Sequence, residues 1–261
     1  MNKLLLSAVL LALSVPAIAQ NVFDGTWKFH LDDAQFPKKP DIFLLQNGTY
    51  ECKTCAPPIK VKADGQDQPV QGHPYFDSMS IKVIDDRTIE EVDKKGGKTV
   101  ATSKTVVSPD GKTANFEFTD SSNTNADPVT GKGTATQVAK GPAGSHAASG
   151  SWVTSKMENL SDNGLTVTFK VEGDSLSMNN LTGQSYTAKL DGTEAPYKGD
   201  PGVTSVSVKS IGKNTMEETD KRDGKVISVA RWTVGPDGKT MTVKVDDKLH
   251  NSQSQFTATK Q

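Results

Sequence analysis

Cysteine, aromatic residues and excess charge are all scarce in this chain of 261 residues, and each shortage excludes something. Two cysteines, Cys52 and Cys55, cannot complete a structural zinc site, and Ala56 stands where c-type haem attachment needs His. The formal net charge is −1, with both signs interleaved along the chain. That pattern lacks the basic footprint that phosphate binding requires, so no nucleic-acid partner is expected. Beyond the first twenty residues no apolar run approaches the ~20 residues needed to span a bilayer, which argues against a membrane span. Also missing are helix-length apolar periodicity, a Gly-x-Ser-x-Gly elbow and any cofactor fingerprint. No catalytic residue, metal site or cofactor is assigned on these grounds, and the chain reads as a binder in preference to an enzyme.

What is present begins with an export signal. Lys3 supplies a positive start, Leu4 to Val15 an apolar stretch, and Ala17-Ile18-Ala19 a small-x-small cleavage site, so residues 1–19 are expected to be a signal peptide and Gln20 the first mature residue. No cysteine follows that site to take a lipid anchor, and the short signal reads as bacterial. A periplasmic or secreted location is the expectation. Three Asn-x-Ser/Thr sequons, at Asn47, Asn159 and Asn180, would then carry no sugar.

The mature part repeats itself. Residues 64–120 superimpose without a gap on residues 191–247 at a constant offset of 127, with about 22 of the 57 paired positions identical. Glu90-Glu91-x-Asp93 pairs with Glu217-Glu218-x-Asp220, and Pro109-Asp-Gly-Lys-Thr113 with Pro236-Asp-Gly-Lys-Thr240. Upstream, Gly25-Thr26-Trp27 opens the first copy as Gly150-Ser151-Trp152 opens the second. Downstream, Gly133–Val138 and Gln255–Thr259 match as last strands, the first copy carrying a longer loop from Ser121 to Lys132. The Gly/Ala/Ser-rich residues 141–149 read as a linker that bends freely and buries little. The expected organisation is 20–140 for the first β domain and 150–261 for the second.

Within each copy the apolar period is two, as in Val167, Phe169 and Val171, which predicts half-buried strands. Asn47-Gly48, Gly96-Gly97, Asp110-Gly111, Asp223-Gly224 and Asp237-Gly238 supply the positive φ of tight hairpins. The fold class is therefore all-β: two tandem antiparallel meanders of about eight strands, barrels in preference to sandwiches because closure removes exposed sheet edges.

The Gly-x-Trp openings followed by a meander resemble the lipocalins of the calycin superfamily, and the Pro-Asp-Gly-Lys-Thr segments are similar to uncharacterised exported bacterial proteins built from lipocalin-like units. The likeness covers most of each copy, although no Thr-Asp-Tyr motif is present. It implies barrels with an inner cavity and a role in binding a small molecule or a partner.

Candidate ligand-binding residues are Trp27 and Trp152, each able to cap a cavity although a large aromatic there more often plugs the closed end, and His73, Tyr75 and Phe76 in the loop richest in aromatics. Cys52 and Cys55 are read as a local disulfide; the absence of a following helix argues against redox catalysis. Glu91 with Asp93, and Glu218 with Asp220, share a strand face and could hold Ca²⁺, but a solvated strand end beside Lys94, Lys95 and Lys98 is the preferred reading. The functional expectation is a non-catalytic exported binding protein for a small apolar molecule or envelope component. A protein–protein interaction module of the envelope comes second. An exported hydrolase comes third, and needs His73 or His250 beside a carboxylate and a hydroxyl.

Overall fold

The computed structural model describes residues 21–122 and 127–261; the expected signal peptide lies outside them. The chain is 64% strand and 1% helix, arranged as two antiparallel ten-stranded sheets, each nearly closed into a barrel. The first ten strands are β1 (Gly25–Gln35), β2 (Asp41–Gln46), β3 (Thr49–Cys52), β4 (Ile59–Lys62), β5 (Gln68–Pro69), β6 (Ser78–Asp85), β7 (Thr88–Lys95), β8 (Lys98–Val107), β9 (Thr113–Asp120) and β10 (Val129–Lys140). The other ten are β11 (Gly150–Leu160), β12 (Thr166–Glu172), β13 (Ser175–Asn180), β14 (Ser185–Lys189), β15 (Asp191–Pro196), β16 (Ser205–Gly212), β17 (Thr215–Arg222), β18 (Lys225–Val234), β19 (Thr240–Asp247) and β20 (Ser252–Lys260). The sequence predicts about eight strands per copy. Segments such as β4 and β5, four and two residues long, are too short for alternation to announce them.

The sheets do not follow the two halves of the sequence. The first barrel runs β4-β3-β2-β11-β10-β9-β8-β7-β6-β5 and the second β14-β13-β12-β1-β20-β19-β18-β17-β16-β15. Each barrel thus takes its Gly-x-Trp strand from the other copy. Strand β1 lies between β20 and β12, with Trp27 opposite Lys260 and Val167. Strand β11 lies between β10 and β2, with Trp152 opposite Gln137 and Asp41. The first barrel is therefore residues 41–160, and the second combines 25–35 with 166–260. The division at 141–149 expected from the repeat is the boundary of the ancestral unit and not of the sheets. Both strands carry the same Gly-x-Trp opening, so the motif itself does not assign either strand to a slot.

A shared corner explains the motif. Gly25 and Gly150 have φ of 123° and 130°, open to glycine alone, and a Cβ on Gly150 would meet the Ala139 carbonyl oxygen at 2.4 Å. The preceding residue ties the corner to the neighbouring strand: an Asp24 carboxylate oxygen accepts from the Val171 amide at 2.7 Å, and Ser149 Oγ accepts from the Leu45 amide at 2.8 Å. Two residues beyond each glycine the indole turns inward and donates from Nε1, Trp27 to the Phe23 carbonyl at 2.9 Å and Trp152 to the Ala148 carbonyl at 3.0 Å. Both rings thereby bury their area with the polar atom satisfied.

Residues 141–149 are not the free tether that their composition suggests. Ala148 and Ser149 are buried, the His146 amide donates to the Leu45 carbonyl at 2.9 Å, and the His146 ring bonds the Asp85 carbonyl at 2.7 Å. The segment is the hairpin joining β10 to β11 and belongs to the first barrel. The barrels are linked instead by residues 36–40, and by 161–165 around a single 3-10 turn, Asp162–Gly164.

Candidate functional site

Matching strand registers identify equivalent inward positions in the two barrels. Thr105 corresponds to Trp232 through the offset of 127. Gly25 pairs with Phe169 as Gly150 pairs with Phe43, which makes Thr154 on β11 the counterpart of Phe29 on β1. On the last strands Thr136 faces Thr113 as Thr259 faces Thr240, so Gly133 corresponds to Phe256. Large aromatics in the second barrel are thus small residues in the first.

In the second barrel these rings occupy the interior. Phe29 lies 6.1 Å from Trp232 and 6.3 Å from Phe256, and Phe169 meets Trp232 edge-on at 5.1 Å. Around them pack Leu176, Val206, Val208, Met216 and Met241, all essentially without solvent contact. In the first barrel the same region is a hollow of about 420 Å³. Its wall is mainly apolar, with Phe43, Leu45, Tyr50, Met79, Ile89, Phe116, Phe118 and Trp152, and Thr105 and Thr154 stand where the second barrel has its plug. Phe116 and Phe118 lie over Gly133 and Gly131 of β10, where any Cβ would sit 2.6 Å from the ring. The glycines let the two rings fold against the wall and keep the centre open.

Into this hollow projects Glu91. The alternation along β7 puts Ile89, Glu91 and Asp93 on the inner face, and along β17 Met216, Glu218 and Asp220. This overturns the reading of a solvated strand end for Asp93, 8% exposed, and Glu218, 6% exposed; Glu91 and Asp220 are half-buried. Burial first, then the adjacent aspartate, pushes Glu91 and Glu218 up to about 8. Burial with Asp120 or Asp200 nearby pushes Asp93 and Asp220 up to about 7. The pairs differ in how they are satisfied. In the second barrel the Tyr186 hydroxyl donates to Glu218 at 2.6 Å. The position equivalent to Tyr186 in the first barrel is Ile59, since Cys52 faces Ile59 as Met178 faces Tyr186. Among the described residues Glu91 has no hydrogen bond and no ion pair. Tyr50, whose hydroxyl is pushed well above its ordinary pKa by burial and then by Glu91, sits in the same wall.

The residues singled out from sequence separate. Trp152 lines the hollow, whereas Trp27 is wholly buried in the core of the second barrel, with Lys260 Nζ 4.9 Å from its ring centroid. His73 stacks on Phe76 at 4.9 Å, and its Nε2 is buried without a partner. Tyr75 reaches across to the second barrel and donates to Asp200 at 2.9 Å. These three loop residues are not in the wall of the hollow; Tyr75 and Phe76 border a separate cleft of about 410 Å³ between the barrels, with Asp93, Asp120 and Asp200. Cys52 and Cys55 form the expected disulfide, and both lie at the edge of the hollow beside the exposed Asp41.

A larger groove of about 580 Å³ runs beside β7 to β10, but several of the charged side chains along it are engaged, Lys104 with Glu90 and Lys132 with Glu117. Among the described residues neither His73 nor His250 joins a carboxylate and a hydroxyl. His250 pairs with Asp247 at 2.6 Å on an exposed turn. No described helix is long and apolar enough to cross a membrane, which says nothing of strands. No protein-family model matches the chain, and a search of characterised proteins finds no match.

Proposed function

We propose that the protein is a non-catalytic, exported binding protein of lipocalin-like barrels that carries a small apolar molecule in its first barrel, the second being a filled structural copy. The observation that supports this most is the contrast at equivalent positions. Thr105 and Thr154 leave open the space that Trp232 and Phe29 occupy in the other copy, while Phe116 lies over Gly133 where that copy has Phe256. An empty apolar hollow forfeits dispersion contacts and destabilises a barrel, so its presence in only one of two related units favours an occupant. At about 420 Å³ it falls in the ordinary range of small-ligand sites.

The test is a fluorescence titration with the apolar probe N-phenyl-1-naphthylamine, backed by native mass spectrometry of the protein purified from its host. One probe per chain, quenching of Trp152 on binding, and loss of both in Thr105→Trp are expected, with a melting temperature no lower than that of the parent. Probe binding that survives Thr105→Trp, or no binding at all, overturns the proposal. A clean apo mass with a protein that captures no apolar probe would favour an envelope protein as partner.

A further inference from the structure

We propose that the natural occupant of the first barrel is an amine, a small apolar molecule whose single protonated nitrogen donates to Glu91. This rests on the reading of the hollow as a ligand site and adds the chemical class. Glu91 is half-buried in the mainly apolar wall of the hollow and its carboxyl has no donor among the described residues, which leaves a polar group there for something else to satisfy. The second barrel shows how this fold satisfies the same carboxyl internally, with the Tyr186 hydroxyl 2.6 Å from Glu218. The first barrel has Ile59 at that position, so the donor is missing where the hollow opens. Aromatic plug and tyrosine donor are thus both absent from the barrel that has space, and both present in the barrel that has none. A single ligand explains the two differences together if its apolar body fills the space and its N–H group replaces the tyrosine.

The surroundings select a cation. No Lys, Arg or His is among the lining side chains. Asp41 at the rim and Asp93 near Glu91 make the site acidic, and Phe43, Tyr50, Phe118 and Trp152 put aromatic rings in its wall, a composition that suits a cation. A carboxylate or phosphate ligand would find no cationic partner in this wall. At neutral pH the empty site holds Glu91 as the neutral acid, since burial and Asp93 raise it to about 8. Entry of an ammonium ion ionises it, and the carboxyl proton leaves to bulk water while the ammonium keeps its own.

The experiment titrates the full chain with three compounds of one shape, 4-phenylbutylamine, 4-phenylbutan-1-ol and 4-phenylbutanoate, by isothermal calorimetry in buffers of different ionisation enthalpy. A charge-assisted hydrogen bond predicts that the amine binds roughly 10- to 100-fold more tightly than the alcohol. Uptake of the amine at pH 7 should release close to one proton, and the acid should bind least. Glu91→Gln and Ile59→Tyr should each bring the amine-to-alcohol ratio near unity and abolish proton release; two variants of opposite design guard against one that fails to fold. Equal binding of amine and alcohol, or a preference that persists in both variants, overturns the amine while leaving the apolar site intact. If none of the three binds, or if Thr105→Trp binds them all, the site itself is refuted.

Discussion

Alkali should weaken this protein over a range in which most proteins are indifferent to pH. The perturbation is a change from about pH 5 to about pH 9, and the responsible groups are the inward pairs Glu91–Asp93 and Glu218–Asp220. Their folded pKa values, about 8 for the glutamates and about 7 for the aspartates, lie above the unfolded values because burial disfavours the charged forms. The folded state thus binds more protons than the unfolded chain between these limits, and stability falls as pH rises through the folded values. For one proton per barrel, a glutamate at about 8 when folded and ~4.3 when unfolded sets a ceiling of ~4 kcal/mol per barrel between pH 5 and 9, and water entering the hollow reduces the loss to on the order of 2–3 kcal/mol. Two effects of opposite sign do not cancel it. Turn carboxylates such as Asp110 and Asp237, held low by backbone and side-chain donors, are already ionised in both states above pH 5. His73, lowered mainly by burial, adds stability as pH rises from its lowered value to its ordinary one and no further, and it is a single group. Urea unfolding followed by near-ultraviolet dichroism at several pH values measures the slope. The double variant Glu91→Gln/Glu218→Gln should flatten it. A parent stability that is constant or rising from pH 5 to 9, or an equal slope in the double variant, refutes the assignment of the buried carboxyls.

Trp232→Ala removes the ring that meets Phe29 and Phe169, and should cost about 3 kcal/mol by chemical denaturation while leaving the hollow of the first barrel unaffected; a loss under about 1 kcal/mol would mean that the second barrel is not packed around it. Cleavage engineered within 141–149 should leave two fragments that co-elute on size exclusion without denaturant, because β1 and β11 each lie in the barrel built mainly from the other fragment; separation of the fragments would contradict the exchange. Cys52→Ser/Cys55→Ser opens a loop of only four residues and should lower stability by about 2 kcal/mol, read from the urea midpoint. A much larger loss would give the bridge a role in shaping the hollow.

The strands are legible in the sequence because alternation and Asp-Gly or Gly-Gly turns are local signals, and Val167-x-Phe169-x-Val171 faces inward much as its pattern requires. The exchange of β1 and β11 is not, since Gly25-x-Trp27 and Gly150-x-Trp152 are chemically interchangeable and local sequence cannot say which slot each fills. The contrast between hollow and plug is half visible: aligning the repeat sets Thr105 against Trp232, but which face each occupies becomes clear only with the register. Glu91 passes for a solvated residue because Thr-Ile-Glu-Glu-Val-Asp has an apolar residue on either face, and Glu218 because its strand, Thr-Met-Glu-Glu-Thr-Asp, is polar at five of six positions. The available signal is that Ile89 and Met216 share parity with the glutamates in both copies. His73, Tyr75 and Phe76 stand out as a cluster of aromatics, yet the loop stacks His73 on Phe76 and sends Tyr75 to the other barrel.

The crossed strands also set an order of assembly. Every strand of the first barrel lies within residues 41–160, so it can close while the rest of the chain is still emerging from the ribosome. The second cannot, because Trp27 must find its place opposite Lys260, nearly the whole length of the chain away. Until then β1 is an unpaired strand at the free end of a growing chain, able to fill the matching slot of its own first barrel or of a neighbouring molecule. The arrival of β11 ahead of β12 resolves that competition, making the last step of folding the pairing of β1 with β20.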